Sequence, residues 1–381
     1  MALLSESNER LRIGFFTYTP LSVEEGSGTY VGISTLAEAL RKLGVTVEIV
    51  APLRLRPTTT LGRILFNEAL RFRQLDEFHI TVGFDLDGYR LAGTGTPHVA
   101  SIKGVIADEM LLEKGLTRAS MALQARYEAL HVRRADRIIT TSRYSAQRIE
   151  QFYRPGKPVA IVPELIDLNR WRDLFSRAAA DRRSGKFVVL SVCRLYPRKR
   201  VDLLLAAASR LRLRIPGLEV RIAGDGPERA ALENQWRSLK LGDAVRWLGY
   251  LGTEALAHEY RNADVFCLPS VQEGFGIVLL EAMAAGTPVV AARAAAVPEV
   301  VPHGMLVEPG SAEDLAAAIE TLHDNPGLQA SLAAQGASWV QNFDAPRVAR
   351  RFLSEVHSLV GEVRPHGRSQ PGSGSVSTAH S

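Results

Sequence analysis

Two glutamates, Glu273 and Glu281, stand eight positions apart in the run EGFGIVLLEAMAAG, which ends at Gly286. Carboxylates accept hydrogen bonds from vicinal hydroxyls, so each suits the diol of a sugar or a ribose. The glycine-flanked aromatic Gly274-Phe275-Gly276 follows the first of them. From Ile277 the chain is apolar, alanine-rich and poor in β-branched residues, which predicts a helix. Gly286 and Pro288 stop it. Glu273 then lies in the turn and Glu281 about five residues into the helix, roughly 7 Å along its axis. The free N–H groups of the helix start, between the two carboxylates, form an anion site. A diphosphate fits there, with a sugar on one side and a ribose on the other. Two glutamates at this spacing also occur as one surface residue and one helix-face residue, so the surrounding sequence has to decide.

In the same half, useful residues recur after each apolar run. Arg194, Arg198, Lys199 and Arg200 put four cations within the seven residues 194–200. They repel one another unless solvated or paired with an anion, and at a sheet edge a diphosphate is a fitting partner. Gly224-Asp225-Gly226-Pro227 reads as a tight turn whose glycines allow close approach and whose proline starts the next helix. Gly249-Tyr250 is a candidate wall for a flat base. Near the start, Gly26-Ser27-Gly28 follows the first apolar run. That loop serves either to turn the chain or to cover a ligand.

The apolar runs predict the elements that position these residues. Leu11–Tyr18 and Val45–Val50 read as strands joined by the glycine loop and a helix, the opening of a parallel α/β sheet. Further strands are expected at Phe78–Val82, Pro97–Ile102, Arg137–Thr140 and Val159–Val162. Helices are expected at Leu61–Leu75, Ala107–Lys114, Leu116–Arg133 and Ser145–Tyr153. Beyond Pro163 the chain is charged and lacks a clear period to about Gly185, and alternation resumes at Phe187. The fold class is therefore α/β, two Rossmann-like doubly wound domains facing across a cleft. The first spans 1–165, a hinge 166–185, and the second 186–345. A helix at 346–362 is expected to pack back on the first domain, and a Gly/Ser/His tail at 363–381 to be disordered. A ligand in such a fold lies at the carboxyl ends of the strands.

With 381 residues, 46% hydrophobic and 23% charged, the chain is long enough for two cores. The net charge of +5 is spread over arginines seldom interleaved with aromatics. That argues against nucleic acid and for patches that hold phosphates or touch anionic lipid heads. The segment Leu61–Leu75 carries Arg63, Arg71 and Arg73. It reads as a solvated basic face, or as a face for a membrane surface or an acceptor. Cys193 and Cys267 end apolar runs and read as buried strand residues, not as a disulfide or a metal site. No apolar run reaches transmembrane length and Met1–Arg10 is polar. A cytoplasmic protein is expected, at most peripheral at the inner face of a membrane.

Together, CRLYPRKR, GDGPER, WLGY and above all EGFGIVLLEAMAAGTPVVA followed by PEVV resemble glycosyltransferase family four. These are the retaining, nucleotide-sugar-dependent enzymes of the GT-B fold, the glycosyl transferases group 1. The resemblance runs from Ile13 to about Val360. It implies transfer from a UDP- or GDP-linked sugar to a glycan, lipid or small-molecule acceptor held by the first domain. Glu281 would hold the ribose hydroxyls and Glu273 those of the donor sugar. Phe275, Gly276 and Ile277 would offer backbone N–H groups, and Arg194 and Lys199 would neutralise the leaving diphosphate. Gly26 and Gly28 would cover the phosphates from across the cleft. Tyr250 would border the base, with Gly224 and Gly226 among the donor-binding loops. Attack on the front face, with the leaving phosphate oxygen helping to take the acceptor's proton, leaves the protein to supply position and charge.

No cofactor or metal is expected, because two cations and a helix terminus meet the charge. Asp85-Leu86-Asp87 has the letters of a metal pair but falls in a first-domain loop. Three departures from the resemblance stand out. Many relatives carry His where Lys103 stands, so Lys103 is a candidate for the acceptor side; His98, at the start of the same strand, is a second candidate, but reads better as a strand residue with a satisfied ring. An Asn-Gly turn is replaced at the hinge by Glu164-Leu165, and glycines before PEVV by Ala294–Ala296. The rival reading is a non-catalytic nucleotide-sugar-binding protein of the same fold. Within the fold, an epimerase would lack the paired glutamates, and a phosphorylase would need a phosphate or a cofactor lysine that the sequence does not identify. A dehydrogenase fits worse, since no G-x-G-x-x-G follows either first strand in register.

Overall fold

Strands apolar on both faces need helices on both faces, and parallel pairing follows from the crossovers. The computed structural model describes residues 11–19, 28–52, 60–178 and 185–362 and contains two six-stranded parallel sheets. The first holds β1 (Arg12–Phe16), β2 (Thr46–Val50), β3 (Ile80–Phe84), β4 (His98–Ile102), β5 (Arg137–Thr140) and β6 (Val159–Ile161). Its helices are α1 (Gly28–Lys42), α2 (Thr60–Leu70), α3 (Ile106–Glu109), α4 (Gly115–Arg134) and α5 (Arg143–Tyr153). After α6 (Leu168–Arg177) the second sheet holds β7 (Phe187–Val192), β8 (Leu218–Ala223), β9 (Val245–Gly249), β10 (Val265–Leu268), β11 (Val289–Ala292) and β12 (Met305–Val307). Its helices are α7 (Val201–Leu211), α8 (Arg229–Ser238), α9 (Thr253–Arg261), α10 (Ile277–Ala284), α11 (Val297–Val300), α12 (Ala312–Asp324) and α13 (Pro326–Trp339). The last helix is α14 (Ala345–Glu362).

The strand orders are β2-β1-β3-β4-β5-β6 and β12-β11-β10-β7-β8-β9. Each order reverses beside its first strand, which opens a crevice at the carboxyl ends there. On one face of the first sheet, Ile33, Leu36 and Leu40 of α1 share a core with Val348, Phe352 and Val356 of α14. The C-terminal helix thus completes the first domain although it follows the second in sequence.

Residues 166–185, expected to be an irregular hinge, contain α6. The Asp167 carboxylate caps it, accepting from the Arg170 N–H at 3.0 Å. Its Leu168, Trp171, Leu174 and Phe175 are buried in the core of the second domain. The two chain crossings between domains lie side by side: Ile166 N–H donates to the Phe343 carbonyl at 3.0 Å, and Ala345 N–H to the Ile166 carbonyl at 2.9 Å. Two further differences are local. The three-residue β12 is too short to show a period, and α2 stops at Leu70, leaving Phe72 exposed. Gly26, Met1–Arg10 and the tail 363–381 lie outside the described residues. Among those described, no helix is long and apolar enough to cross a membrane.

Candidate active site

The carboxyl ends of both sheets face one cleft of about 1140 Å³. Its walls bring together Gly28, Lys103, Arg194, Lys199, Gly224, Gly226, Tyr250, Glu273, Phe275, Gly276, Ile277 and Glu281. They come from the start of α1 and from the loops after β4, β7, β8, β9 and β10. A Cβ on Gly28 would come within 3.9 Å of Ile277 Cδ1, so the starts of α1 and α10 face each other across the opening.

Gly276 caps α10 at φ 91°, and a Cβ there would lie 2.9 Å from Leu279 Cδ1. Glycine is favoured at this position by conformation, whereas the contact with the end of the Leu279 side chain could shift. The Phe275 ring turns into the core, edge-on to Phe343 at 5.5 Å, and anchors the loop while its backbone borders the cleft. Glu281, the fifth residue of α10, accepts from the Tyr260 hydroxyl at 2.8 Å through Oε2. Burial pushes its carboxyl up to about 7, and the Tyr260 hydrogen bond pulls in the opposite direction.

The four cations are not equivalent. Lys199 Nζ lies 2.6 Å from Glu273 Oε1, and Arg200 lies 2.9 Å from Asp202. Arg198 stacks on Tyr196 and reaches across to Glu109 and Glu113 of the first domain at 3.6 and 3.5 Å. Protein carboxylates therefore neutralise three of the four charges, Lys199 among them, so the repulsion within the cluster is relieved largely inside the protein. Arg194 is exposed, and among the described residues no carboxylate pairs with it. It is the cation left for an anionic ligand, and Lys199 meets one only by sharing with Glu273.

Gly224 and Gly226 line the cleft for a structural reason. A Cβ at Gly224, where φ is 124°, would sit 1.9 Å from the Cys193 carbonyl oxygen. One at Gly226 would sit 2.6 Å from that of Leu195. The glycines let the loops after β7 and β8 lie together, joined where Leu195 N–H donates to the Asp225 carbonyl at 3.0 Å.

On the first-domain side, Lys103 Nζ pairs with Glu164 Oε1 at 2.9 Å, both side chains being buried. Two of the three sequence departures thus meet as one ion pair. Gly32 makes room for it, since a Cβ there would lie 2.4 Å from Glu164 Oε2. In the third departure, Ala295 takes φ 51°, the left-handed conformation glycine would adopt freely, at a strain of about 1–2 kcal/mol.

His98 does not line the cleft. Its ring is fully buried, with Nδ1 2.7 Å from Thr81 Oγ1 and Nε2 2.8 Å from His131 Nε2. Desolvation lowers both imidazoles, His131 to about 4, so both stay neutral. Arg63, read as part of a basic face, instead points inward to Asp87 at 2.9 Å. Asp85 accepts from the Lys103 N–H at 2.8 Å, so the Asp85-Leu86-Asp87 loop holds the strand ends that carry Lys103.

The sequence did not reveal how the donor loop touches the first domain. Thr141 and Ser142 hydroxyls donate to the Gly274 carbonyl at 3.1 and 3.0 Å. Glu299 of α11 accepts from the Arg143 and Tyr144 N–H groups at 2.9 and 2.7 Å. A carboxylate from one domain thereby complements the N-terminal dipole of α5 in the other.

Residues 174–339 match the family described as glycosyl transferases group 1. A D-inositol 3-phosphate glycosyltransferase of Rhodococcus erythropolis is 35% identical over 236 residues, covering 58% of this chain and 53% of the relative. A GDP-mannose-dependent alpha-(1-6)-phosphatidylinositol monomannoside mannosyltransferase of Mycobacterium tuberculosis is 31% identical over 219 residues, covering 54% and 57%. The chain spans little more than half the length of these relatives. The structure of sucrose-phosphate synthase from Thermosynechococcus elongatus superposes with a TM-score of 0.80 at 22% identity, over 93% of this chain and all of that one. Residues 174–339 of this chain thus carry the match to the glycosyl transferases group 1 family, and the two facing sheets have the GT-B fold shared with that structure.

Proposed function

We propose that the chain is a retaining glycosyltransferase that moves a hexose-type unit from a UDP- or GDP-linked sugar to an acceptor held by the first domain. The observation that carries this is the grouping, in one cleft, of Glu281, Glu273, the start of α10 and the uncommitted Arg194. Glu281 takes the ribose diol, the start of α10 and Arg194 take the diphosphate, and Glu273 takes the sugar. Charge grows on the diphosphate as the glycosidic bond breaks, so Arg194 stabilises the transition state more than the bound donor. Protein cations and the helix terminus carry that charge in this proposal, without a metal ion.

The acceptor wall is α4, whose Thr117, Ser120 and Gln124 line the cleft. On their outer sides α2 and α4 expose Leu61, Leu65, Leu116 and Leu123, with Lys114 and Arg118 nearby. This favours a lipid-linked or envelope glycan presented at an anionic membrane surface from the cytoplasmic side.

The test is incubation with a panel of UDP- and GDP-sugars, with and without lipid extract and phosphatidylglycerol vesicles, in the presence of EDTA. Nucleotide release from one donor, raised by the lipid acceptor, is the expected result. Donors that bind but are never cleaved would replace this reading by the non-catalytic one.

A further inference from the structure

We infer that Tyr260 is the positioning residue that sets Glu281 for the hydroxyls of the donor's ribose. The inference rests on the donor reading above and adds a residue outside the cleft wall.

Tyr260 lies in α9 and is fully buried. Its ring is fixed edge-on by Trp171 at 5.9 Å and against Phe266 at 5.6 Å. Its backbone carbonyl accepts from Thr287 Oγ1 at 2.8 Å. A phenylalanine would fill that space equally well, so packing does not explain the hydroxyl. Among the described residues, the hydroxyl's one hydrogen bond is its donation to Glu281 Oε2.

That bond has two consequences. It fixes the carboxylate's rotation, because a buried oxygen held at one donor leaves the other oxygen to face the cleft that Glu281 lines. It also favours the charged carboxylate, against the desolvation that opposes it. A charged, oriented carboxylate accepts strongly from ribose hydroxyls, whereas a rotating neutral acid does so weakly. Tyr260 touches no substrate in this scheme and acts only through Glu281. Trp171 belongs to α6, directly after the first domain crossing, so the segment that joins the domains also seats the tyrosine.

The test compares wild type with Tyr260→Phe by calorimetry, using UDP, GDP and their 2′,3′-dideoxy analogues. The variant should bind the preferred ribonucleotide about tenfold more weakly and its dideoxy analogue within twofold of wild type. In a Glu281→Ala background, Tyr260→Phe should add no further loss. Equal weakening of both nucleotide forms, or no weakening of either, would overturn the inference in favour of a packing role. No heat from any nucleotide with wild type would overturn the donor reading itself, and this inference with it.

Discussion

Arg194→Ala is expected to lower turnover about 10²- to 10³-fold while changing the donor KM far less. Arg194 follows β7 on the cleft wall, and no carboxylate among the described residues competes for it. Its neighbours cannot substitute, because Arg198, Lys199 and Arg200 are each held by protein carboxylates. The loss should therefore fall on the step in which diphosphate charge develops. Steady-state kinetics with the active donor separates the cases. A raised KM at unchanged kcat would show that Arg194 only holds the ground state.

Gly224→Ala should destabilise the second domain by about 2–5 kcal/mol, the sum of overpacking and left-handed strain. The added methyl would stand 1.9 Å from the Cys193 carbonyl oxygen at a φ of 124°. The loop after β8 can move away only by breaking its contacts with the Cys193–Leu195 backbone. Because native domains are stable by roughly 5–15 kcal/mol, the change should appear as a large fall in the urea midpoint. An unfolding free energy within about 0.5 kcal/mol of wild type would contradict the close packing of these loops.

Much of the fold is legible because each strand is a short apolar run bounded by turn residues, and α10 carries both start and stop signals. What escaped detection is of two kinds. The helix α6 hides its apolar Leu168, Trp171, Leu174 and Phe175 among charged residues, although Asp167 and that spacing are a sufficient signal. Pairings that depend on tertiary approach have no local pattern at all. Lys103 with Glu164, Arg198 with Glu109, and Glu299 with the start of α5 join residues far apart in sequence. For the same reason the sequence shows four neighbouring cations but not which one remains uncommitted. His98 is the opposite case, a residue of reactive type whose partners, Thr81 and His131, are visible only once the strands and α4 are packed.

In the function proposed above, Glu281 holds a nucleotide's ribose in the cleft. Its carboxyl, raised from an ordinary 4.5 to about 7 by burial, binds its proton more tightly folded than unfolded. Stability from this group therefore declines as pH rises between those values. Ribose hydroxyls favour the charged form, so nucleotide affinity should run the other way and strengthen as pH rises through 7. The direct measurement is calorimetric titration of UDP and GDP into wild type and Glu281→Ala on either side of pH 7. Wild type should bind at least one nucleotide, tighter on the alkaline side, and the variant should lose tenfold or more in affinity. Binding that survives Glu281→Ala unchanged, at either pH, would contradict the ribose role of Glu281.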